Sequence, residues 1–305
     1  MSTETLLNPF QKKINQLKVN FKIDKGFSGE EKYCLSDQEG NQYLLRVCDI
    51  ERLESAKNHF QLLQSVEALN IPMTRPIGLE LIEKEQKVAM LLTYVEGVDG
   101  EESLSSHTEE EQYRIGLSAG EVLRKLHTIP APSNLELWDV LKSNKHARYE
   151  KTFLTLEGYS EYKYIVEYIR ENEHKLEGRP NMLLHDDFHP SNLIIHNKEF
   201  AGVIDFNRFE WGDPYHDLHK VALFTRNISV PFARGQIHGY FQGNPDEEFW
   251  ERYTLYAAMA IISAIVWTQQ FYPEQMEGMI TRCEQIIKDH HNFQSSIPSW
   301  YRQYN

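Results

Sequence analysis

The sequence predicts an α+β protein with two lobes, a small strand-rich one followed by a larger and mostly helical one. The chain has 305 residues, a length that suits two lobes better than one core. Short apolar segments bounded by turn residues dominate the first hundred residues, and apolar residues at helical spacing dominate the rest. The stretch EGVDGEE at 96–102 has two glycines and four acids. We therefore predict domains at 1–95 and 96–305.

The first lobe is predicted to contain an antiparallel sheet and one helix. Segments 33–36, 43–47 and 88–95 have strand composition, and DQEGNQ at 37–42 forms the turn between the first two. Between the second and third strands, apolar residues of 51–69 recur at helical spacing, and Pro72 lies just beyond.

Helices dominate the second half. Five apolar residues form one face of a helix that ends before IPAP, namely Ile115, Ala119, Val122, Leu123 and Leu126. Further helices are predicted at about 160–175 and 247–290. Only 182–195 and 201–206 have strand character.

Composition excludes several classes of function. A net charge of −13 and a pI near 5.5 argue against a nucleic-acid partner. Three widely spaced cysteines form no disulfide framework, and the N-terminus has no apolar signal-peptide core. The longest apolar stretch, 255–267, is too short to span a bilayer and predicts a buried core helix. We expect a cytoplasmic protein without a membrane partner.

The segment LLHDDFHPSNLII at 183–195 carries the strongest chemical signal. Asp187 follows His185 by two residues, Asn192 follows Asp187 by five, and Asp205 lies thirteen residues further on. Phosphoryl transfer needs a carboxylate beside the attacking hydroxyl, and an amide oxygen and a second carboxylate on Mg²⁺. Asp187 would be the catalytic base, and Asn192 and Asp205 the metal ligands. Asp186 and Asp187 would point to opposite sides of an extended segment.

Two other interpretations of this segment remain open. A metal centre would use His185, Asp187 and either His189 or His196, as in non-haem iron sites with two histidines and one carboxylate. Alternatively, the segment is a polar turn without any chemistry.

The motifs HDDFHPSNLII and GVIDFNRFEWGDPYHDL resemble those of the aminoglycoside phosphotransferase and choline kinase-like family. The resemblance extends over nearly the whole chain and implies a bilobal protein-kinase-like fold. It implies a nucleotide loop in KGFSGEEKY, a third strand in YLLRV and a hinge in MLLTYVEG. The nucleotide-binding residues it implies are Gly26, Ser28, Gly29, Arg46, Tyr94 and Val95.

Three positions depart from the patterns that the resemblance implies. Arg46 replaces the third-strand lysine of protein kinases, and Asp186 replaces the glycine that is usual in the resembled family. The helix glutamate that should pair with the strand cation falls on His59 or Gln61, so Arg46 either lacks its carboxylate partner or pairs elsewhere. A nucleotide-binding pseudokinase with a regulatory role is therefore the alternative to an active enzyme.

The resemblance implies a small-molecule kinase that uses ATP or GTP with Mg²⁺ and phosphorylates a hydroxyl group. Acidic and aromatic residues of the C-terminal helices suit a cationic acceptor such as an aminoglycoside, namely Trp267, Tyr272, Glu274 and Glu277. Asp213 and Asp217 are expected to hold the catalytic loop. His216 and His219 are expected to be core or surface histidines and not metal ligands.

Overall fold

The computed structural model describes residues 3–24 and 29–302, which form two compact units. The first comprises residues up to Val98, Ile194–Asn197 and Ala201–Asn207; the second comprises Asp99–Leu193, Lys198–Phe200 and the chain from Arg208. The units divide inside the link at 96–102. The segments at 194–197 and 201–207, expected in the second domain, belong to the first unit. There Val203 bridges to Met73, and its carbonyl accepts a hydrogen bond from the Thr74 amide.

The first unit is built on a five-stranded antiparallel sheet, so its predicted class is confirmed. The strands are β1 Lys18–Ile23, β2 Glu31–Ser36, β3 Gln42–Asp49, β4 Pro76–Ile82 and β5 Lys87–Thr93, in the order β1-β2-β3-β5-β4. The sequence predicted β2, β3 and β5 but missed both edge strands. β1 is mostly exposed, but its apolar residues Val19, Phe21 and Ile23 alternate with polar ones, so the sequence did carry a signal for this strand; β4 contains a proline and a glycine, which weaken its strand signal.

Successive residues of β3 face opposite sides of the sheet, so the strand contributes both to the hydrophobic core and to the charged face. Leu45 and Val47 point into the hydrophobic core, and Arg46 between them points to the opposite face. In the register between β2 and β3, Lys32 is the direct partner of Arg46. Asp37 shapes the predicted turn before β3 by accepting hydrogen bonds from the amides of Glu39 and Asn41, both at 2.9 Å.

The second unit is mostly helical, as predicted. The helices of the chain are α1 Thr3–Leu7 and α2 Leu53–Glu67 in the first unit, then α3 Gly100–Ser103, α4 Glu109–Leu126, α5 Trp138–Phe153, α6 Lys163–Asn172, α7 Pro214–Asp217, α8 Arg226–Ile228, α9 Val230–Phe241, α10 Glu247–Phe271, α11 Met276–Asp289 and α12 Ser299–Arg302. The remaining strands are β6 Val98–Asp99, β7 Met182–Leu184, β8 Leu193–His196, β9 Glu199–Val203 and β10 Glu210–Gly212. β7 pairs with β10, and a second small sheet has the order β6-β8-β9.

The sequence predicted α2, α4 and α6 but missed α5 and α9. In α5 only Trp138, His146 and Phe153 are buried, so there is no apolar stripe to detect. The predicted helix at 247–290 is two helices, because the chain breaks at Tyr272 and Pro273.

Four glycines allow α4 and α9 to pack closely. An added Cβ at Gly116 or Gly120 would lie 2.3 or 2.1 Å from a carbonyl oxygen of α9. An added Cβ at Gly235 or Gly239 would lie 2.1 or 2.0 Å from a carbonyl oxygen of α4. Real Cβ atoms do not approach this closely, so the contact between the backbones requires glycine at all four positions.

Helix α10 forms the centre of the second unit. It is long and apolar enough to cross a membrane by length and composition, but 72% of its most apolar window is buried inside the protein. The buried face includes Tyr253, Tyr256 and Ile261. The helix therefore has the burial expected of the core helix that the sequence indicated at 255–267.

Candidate active site

Asp217 anchors the backbone at the start of the predicted catalytic loop, residues 185–192. Its carboxylate is fully buried and accepts hydrogen bonds from the backbone amides of His185 and Asp186, both at 2.7 Å. The His127 ring nitrogen Nε2 lies 3.1 Å from the same carboxylate, and Nδ1 lies 2.8 Å from the Tyr240 hydroxyl. Hydrogen bonds to a carboxylate are stronger than those between neutral groups, so the loop start is firmly held. The expectation that Asp217 holds the loop is confirmed.

Asp213 stabilises the same region by fixing helix α7. Its carboxylate is fully buried and accepts two hydrogen bonds from Arg179, at 2.9 and 3.0 Å, and one from the Tyr256 hydroxyl at 2.8 Å. It also caps α7 by accepting from the Tyr215 amide. This carboxylate therefore fixes the position of α7, which carries Asp217.

Asp186 adopts the left-handed backbone conformation, with φ of 56°. Glycine is the usual residue there, and aspartate is among the few others that tolerate it. The structure thus explains why a glycine is typical at this position and how this chain accommodates a side chain. The carboxylate lies 3.5 Å from the Nδ1 atom of His216.

Asp187 is held as an ionised acceptor. Burial raises the pKa of this carboxyl. However, the hydrogen bond from His189 and the charges of Lys220, His189 and Arg208 outweigh burial and keep the pKa well below its usual range. His189 Nε2 lies 3.2 Å and Lys220 Nζ lies 3.8 Å from the Asp187 oxygen Oδ1. At neutral pH this group can therefore accept a hydrogen bond from a substrate hydroxyl.

Asn192 is oriented by Asp187. Its amide nitrogen donates to the Asp187 backbone carbonyl at 2.9 Å and to the Asp187 carboxylate at 3.1 Å. Both bonds use the nitrogen end of the amide, so the oxygen end points away from Asp187. A neutral oxygen held in this manner is the type of ligand that Mg²⁺ accepts.

Asp205 lies in the first unit beside two cations. Its oxygens lie 3.8 Å from Lys32 Nζ and 3.9 Å from Arg46 Nη1. Its backbone is also left-handed, with φ of 63°. Among the described residues the buried oxygen Oδ1 has no hydrogen-bond partner and only the 3.9 Å approach of Arg46 Nη1 compensates for its burial, so an ion or ligand that pairs with it would lower this cost. The residue therefore fits its predicted role as a Mg²⁺ ligand.

Arg46 has a carboxylate partner, but it does not come from α2. Its Nε donates to Glu30 at 2.8 Å, its Nη2 also contacts Glu30, and Nη2 donates to the Asn207 amide oxygen at 2.5 Å. His59 is buried on the inner face of α2, and Gln61 is exposed. Of the two alternatives, an unpaired arginine and a rewired pair, the structure shows the rewired pair.

The other predicted nucleotide-binding residues are Gly26, Ser28, Gly29, Tyr94 and Val95. Gly26 and Ser28 lie outside the described residues. Gly29 has φ of +65°, a conformation that favours glycine. Tyr94 and Val95 directly follow β5 and are half-buried, so the predicted strand at 88–95 ends before them.

The metal-centre interpretation has no geometric support. Within the described part of the chain, no group of three His, Cys, Asp or Glu side chains could hold a metal ion. The Nδ1 atom of His185 accepts a hydrogen bond from the Asp187 amide at 3.2 Å. His216 and His219 are buried beside each other, as core histidines. Burial and the charge of Lys142 hold the pKa of His216 well below the usual value.

Sequence reasoning missed several polar and charged residues that lie near the predicted site residues: Glu30, Lys32 and Asn207 in the first unit and Lys142, Lys145 and Lys220 in the second. The pairing of Lys32 with Arg46 could have been found from the hairpin register, since DQEGNQ fixes the alignment of the two strands. The lysines of α5 gave no signal, because that helix has no periodic pattern.

The sequence profile of the "Phosphotransferase enzyme family" matches residues 22–253. No curated protein matches. The solved structures that share this fold include the gentamicin complex of APH(2'')-IIa, at 19% identity and a TM-score of 0.62, with 97% of this chain and 99% of that chain covered.

Two further structures show the same fold. The ADP-bound aminoglycoside phosphotransferase APH(2'')-Ib has 19% identity and a TM-score of 0.63, with 99% of each chain covered. Aminoglycoside phosphotransferase APH(4)-Ia has 13% identity and a TM-score of 0.68, with 94% of this chain and 98% of that chain covered. At these identities the structural likeness establishes the fold, which confirms the kinase-like architecture expected from the motifs. With the profile match over most of its length, this chain belongs to the phosphotransferase enzyme family.

Proposed function

We propose that this chain transfers the γ-phosphoryl group of ATP to a hydroxyl group of a small molecule, with Asp187 as the residue that accepts the hydroxyl proton. The observation that carries the proposal is the state of Asp187. Its carboxylate is ionised, oriented by Asn192 and His189, and attached to a loop whose backbone Asp217 holds. Such positioning is what phosphoryl transfer asks of the protein.

The reaction needs a modest base and strong orientation. The acceptor oxygen attacks the γ-phosphorus as the bond from that phosphorus to the β–γ bridging oxygen breaks, and ADP leaves. The hydroxyl proton passes to Asp187 and then to solvent. Because the pKa of Asp187 is low, its main contribution is to hold the hydroxyl in line, and it takes the proton late in the reaction.

The residues that would hold Mg²⁺ are Asn192 through its amide oxygen and Asp205 through its carboxylate. When bound with nucleotide, Mg²⁺ supplies positive charge that stabilises the phosphate oxygens. Arg46, fixed by Glu30 and Asn207, would bind phosphate oxygens of the nucleotide, and Lys32 opposite it would add a second cation.

An NADH-coupled assay of nucleotide turnover tests this proposal. Purified protein is given Mg²⁺ and either ATP or GTP, with a panel of hydroxyl compounds that includes aminoglycosides as cationic acceptors. Asp187→Ala should lower kcat by about 10²–10⁴-fold with little change in nucleotide affinity, because positioned proton transfer contributes about that much. Asp49→Ala is the matched control, since Asp49 is exposed on the first unit.

The assay also separates the enzyme from the pseudokinase alternative. Equal turnover by Asp187→Ala and Asp49→Ala would refute the catalytic assignment. If nucleotide raises the melting temperature and yet no acceptor is phosphorylated above the Asp187→Ala background, a nucleotide-binding regulatory protein becomes the better description.

A further inference from the structure

Three lysines of the second unit lie next to the catalytic loop. Lys142 and Lys145 are three residues apart on α5 and so lie on one face of that helix. Lys142 Nζ lies 2.7 Å from His216 Nε2, and His216 Nδ1 lies 3.5 Å from the carboxylate of Asp186, the residue before Asp187. Lys220 Nζ lies 3.8 Å from the Asp187 oxygen Oδ1. Lys142 and Lys220 are therefore linked to the adjacent carboxylates Asp186 and Asp187, Lys142 through His216 and Lys220 directly.

Lys142 differs from the other two lysines in its partners. Lys145 pairs with Glu210 at 2.6 Å, and Lys220 pairs with Asp187. Lys142 forms no ion pair with any carboxylate in the part of the chain that the structure describes. Its ammonium donates to His216 and lies over the rings of Trp138 and Tyr256, at 5.6 and 5.8 Å from their centroids.

A largely buried ammonium usually has an anionic partner. Burial and the neighbouring Lys145 lower the pKa of Lys142 to about 8, which leaves the amine mostly protonated at neutral pH. The ammonium has three N–H donors and the described hydrogen bond uses one of them. The Lys142 side chain thus has the charge and the donors to bind an anion beside the catalytic loop.

The sequence predicts that a cationic acceptor binds to residues of the C-terminal helices, among them Trp267, Glu274 and Glu277. The Arg208 guanidinium lies 5.5 Å from the centroid of the Trp267 ring, so this ring already has a cation partner within the chain. Glu274 and Glu277 are exposed. Near Asp187, Lys145 and Lys220 are each paired with a carboxylate, whereas Lys142 has no carboxylate partner in the described part of the chain, so a cationic group placed beside Lys142 would meet its repulsion.

We propose that Lys142, supported by Lys145, binds an anionic group of the phosphate acceptor, so that the acceptor is a hydroxyl compound carrying a carboxylate or phosphate. This inference rests on the proposed function, because it assigns the substrate class of the same site. His216 holds the Lys142 ammonium at one end and faces Asp186 at the other, which makes it a positioning residue for this subsite.

Calorimetric titration of the full chain with malonate tests the subsite without requiring the true acceptor. Saturating ADP and Mg²⁺ are present throughout, so that the nucleotide site is filled. The wild type should bind malonate, and Lys142→Met should weaken binding at least about tenfold. Lys151→Met, which removes an exposed lysine of the same helix, should leave it unchanged. Lys142→Arg should restore most of the affinity, because it keeps the charge.

Ethylenediamine and glycerol serve as cationic and neutral probes in the same titration. The inference is overturned if wild-type protein does not bind malonate, if Lys142→Met and Lys151→Met bind it equally, or if ethylenediamine binds more tightly than malonate. Melting temperatures of the variants check that each is folded, and Lys142→Arg provides the test if Lys142→Met is not.

The two proposals can fail separately. Malonate binding requires no phosphate transfer. A protein that binds malonate through Lys142 but phosphorylates nothing contradicts the proposed function and supports the subsite. Efficient phosphorylation of an aminoglycoside, unchanged in Lys142→Met, supports the proposed function and overturns the anionic acceptor.

Discussion

Replacement of Asp217 by asparagine should loosen the start of the catalytic loop. The aspartate accepts two backbone hydrogen bonds of 2.7 Å, from His185 and Asp186, with full burial of its side chain. Asparagine has one acceptor oxygen, so one of these amides would face an NH₂ group. A buried hydrogen bond to a charged group contributes about 1.5–3 kcal/mol, and the lost contact with His127 adds to this. We expect a destabilisation of about 2–4 kcal/mol.

Hydrogen exchange measures this effect at the affected amides. A loss of about 2–4 kcal/mol corresponds to exchange about 30- to 700-fold faster at residues 185 and 186. Turnover should fall with it, because the loop carries Asp187. Asp246→Asn is the control: it changes an N-cap of α10 in the same unit, where asparagine caps equally well. If the two variants show the same exchange rates over 182–189, the anchoring role of Asp217 is wrong.

Three further predictions concern other parts of the molecule. Glu30→Gln should raise the KM for ATP about tenfold, because it removes the charged partner that orients Arg46. The control Glu51→Gln changes an exposed glutamate and should leave the KM unchanged. Equal KM values for the two variants would contradict the role of the pairing. Burial raises the pKa of Asp186 to about 6 from 3.8, so the folded protein is favoured by the protonated group below pH 3.8 and loses this stability as the pH rises through 6. The free energy of unfolding of Asp186→Asn, measured in urea, should therefore rise by about 1–3 kcal/mol relative to that of the wild type between pH 4 and pH 7. A difference that stays constant over this range would contradict the prediction. Gly212→Ala should destabilise by about 1–3 kcal/mol because its Cβ would lie 2.1 Å from Trp138, whereas Gly278→Ala in α11 meets nothing within 4 Å and should stabilise by up to about 1 kcal/mol, as thermal unfolding would show.

The elements with strong local patterns were predictable from the sequence, and those held by tertiary contacts were not. The strand composition around Leu45 and the helical face of Ile115 and Leu123 gave β3 and α4 directly. Helix α9 escaped detection because Gly235 and Gly239 lower its helix propensity, although they are what allow it to pack on α4. The two glycines disfavour a helix locally, but the packing of α9 on α4 stabilises it.

At the site, spacing along the chain identified residues of one loop, and could not identify partners from distant segments. His185, Asp187 and Asn192 interact through local hydrogen bonds that follow from their positions in sequence. The resemblance places the partner of Arg46 on α2, yet Glu30, immediately before β2, pairs with it instead. The choice among several nearby carboxylates depends on strand register and side-chain length, which no motif records.

The close packing of α4 against α9 through their glycines affects the position of the predicted catalytic loop. His127 directly follows α4 and Tyr240 lies on α9, so the hydrogen bond between them depends on the spacing of the two helices. His127 in turn contacts Asp217. A library of single substitutions should therefore show Gly116, Gly120, Gly235 and Gly239 to be as intolerant of change as residues of the loop itself. An inhibitor or a mutation that wedges these two helices apart would inactivate the protein from a site that contains no catalytic group.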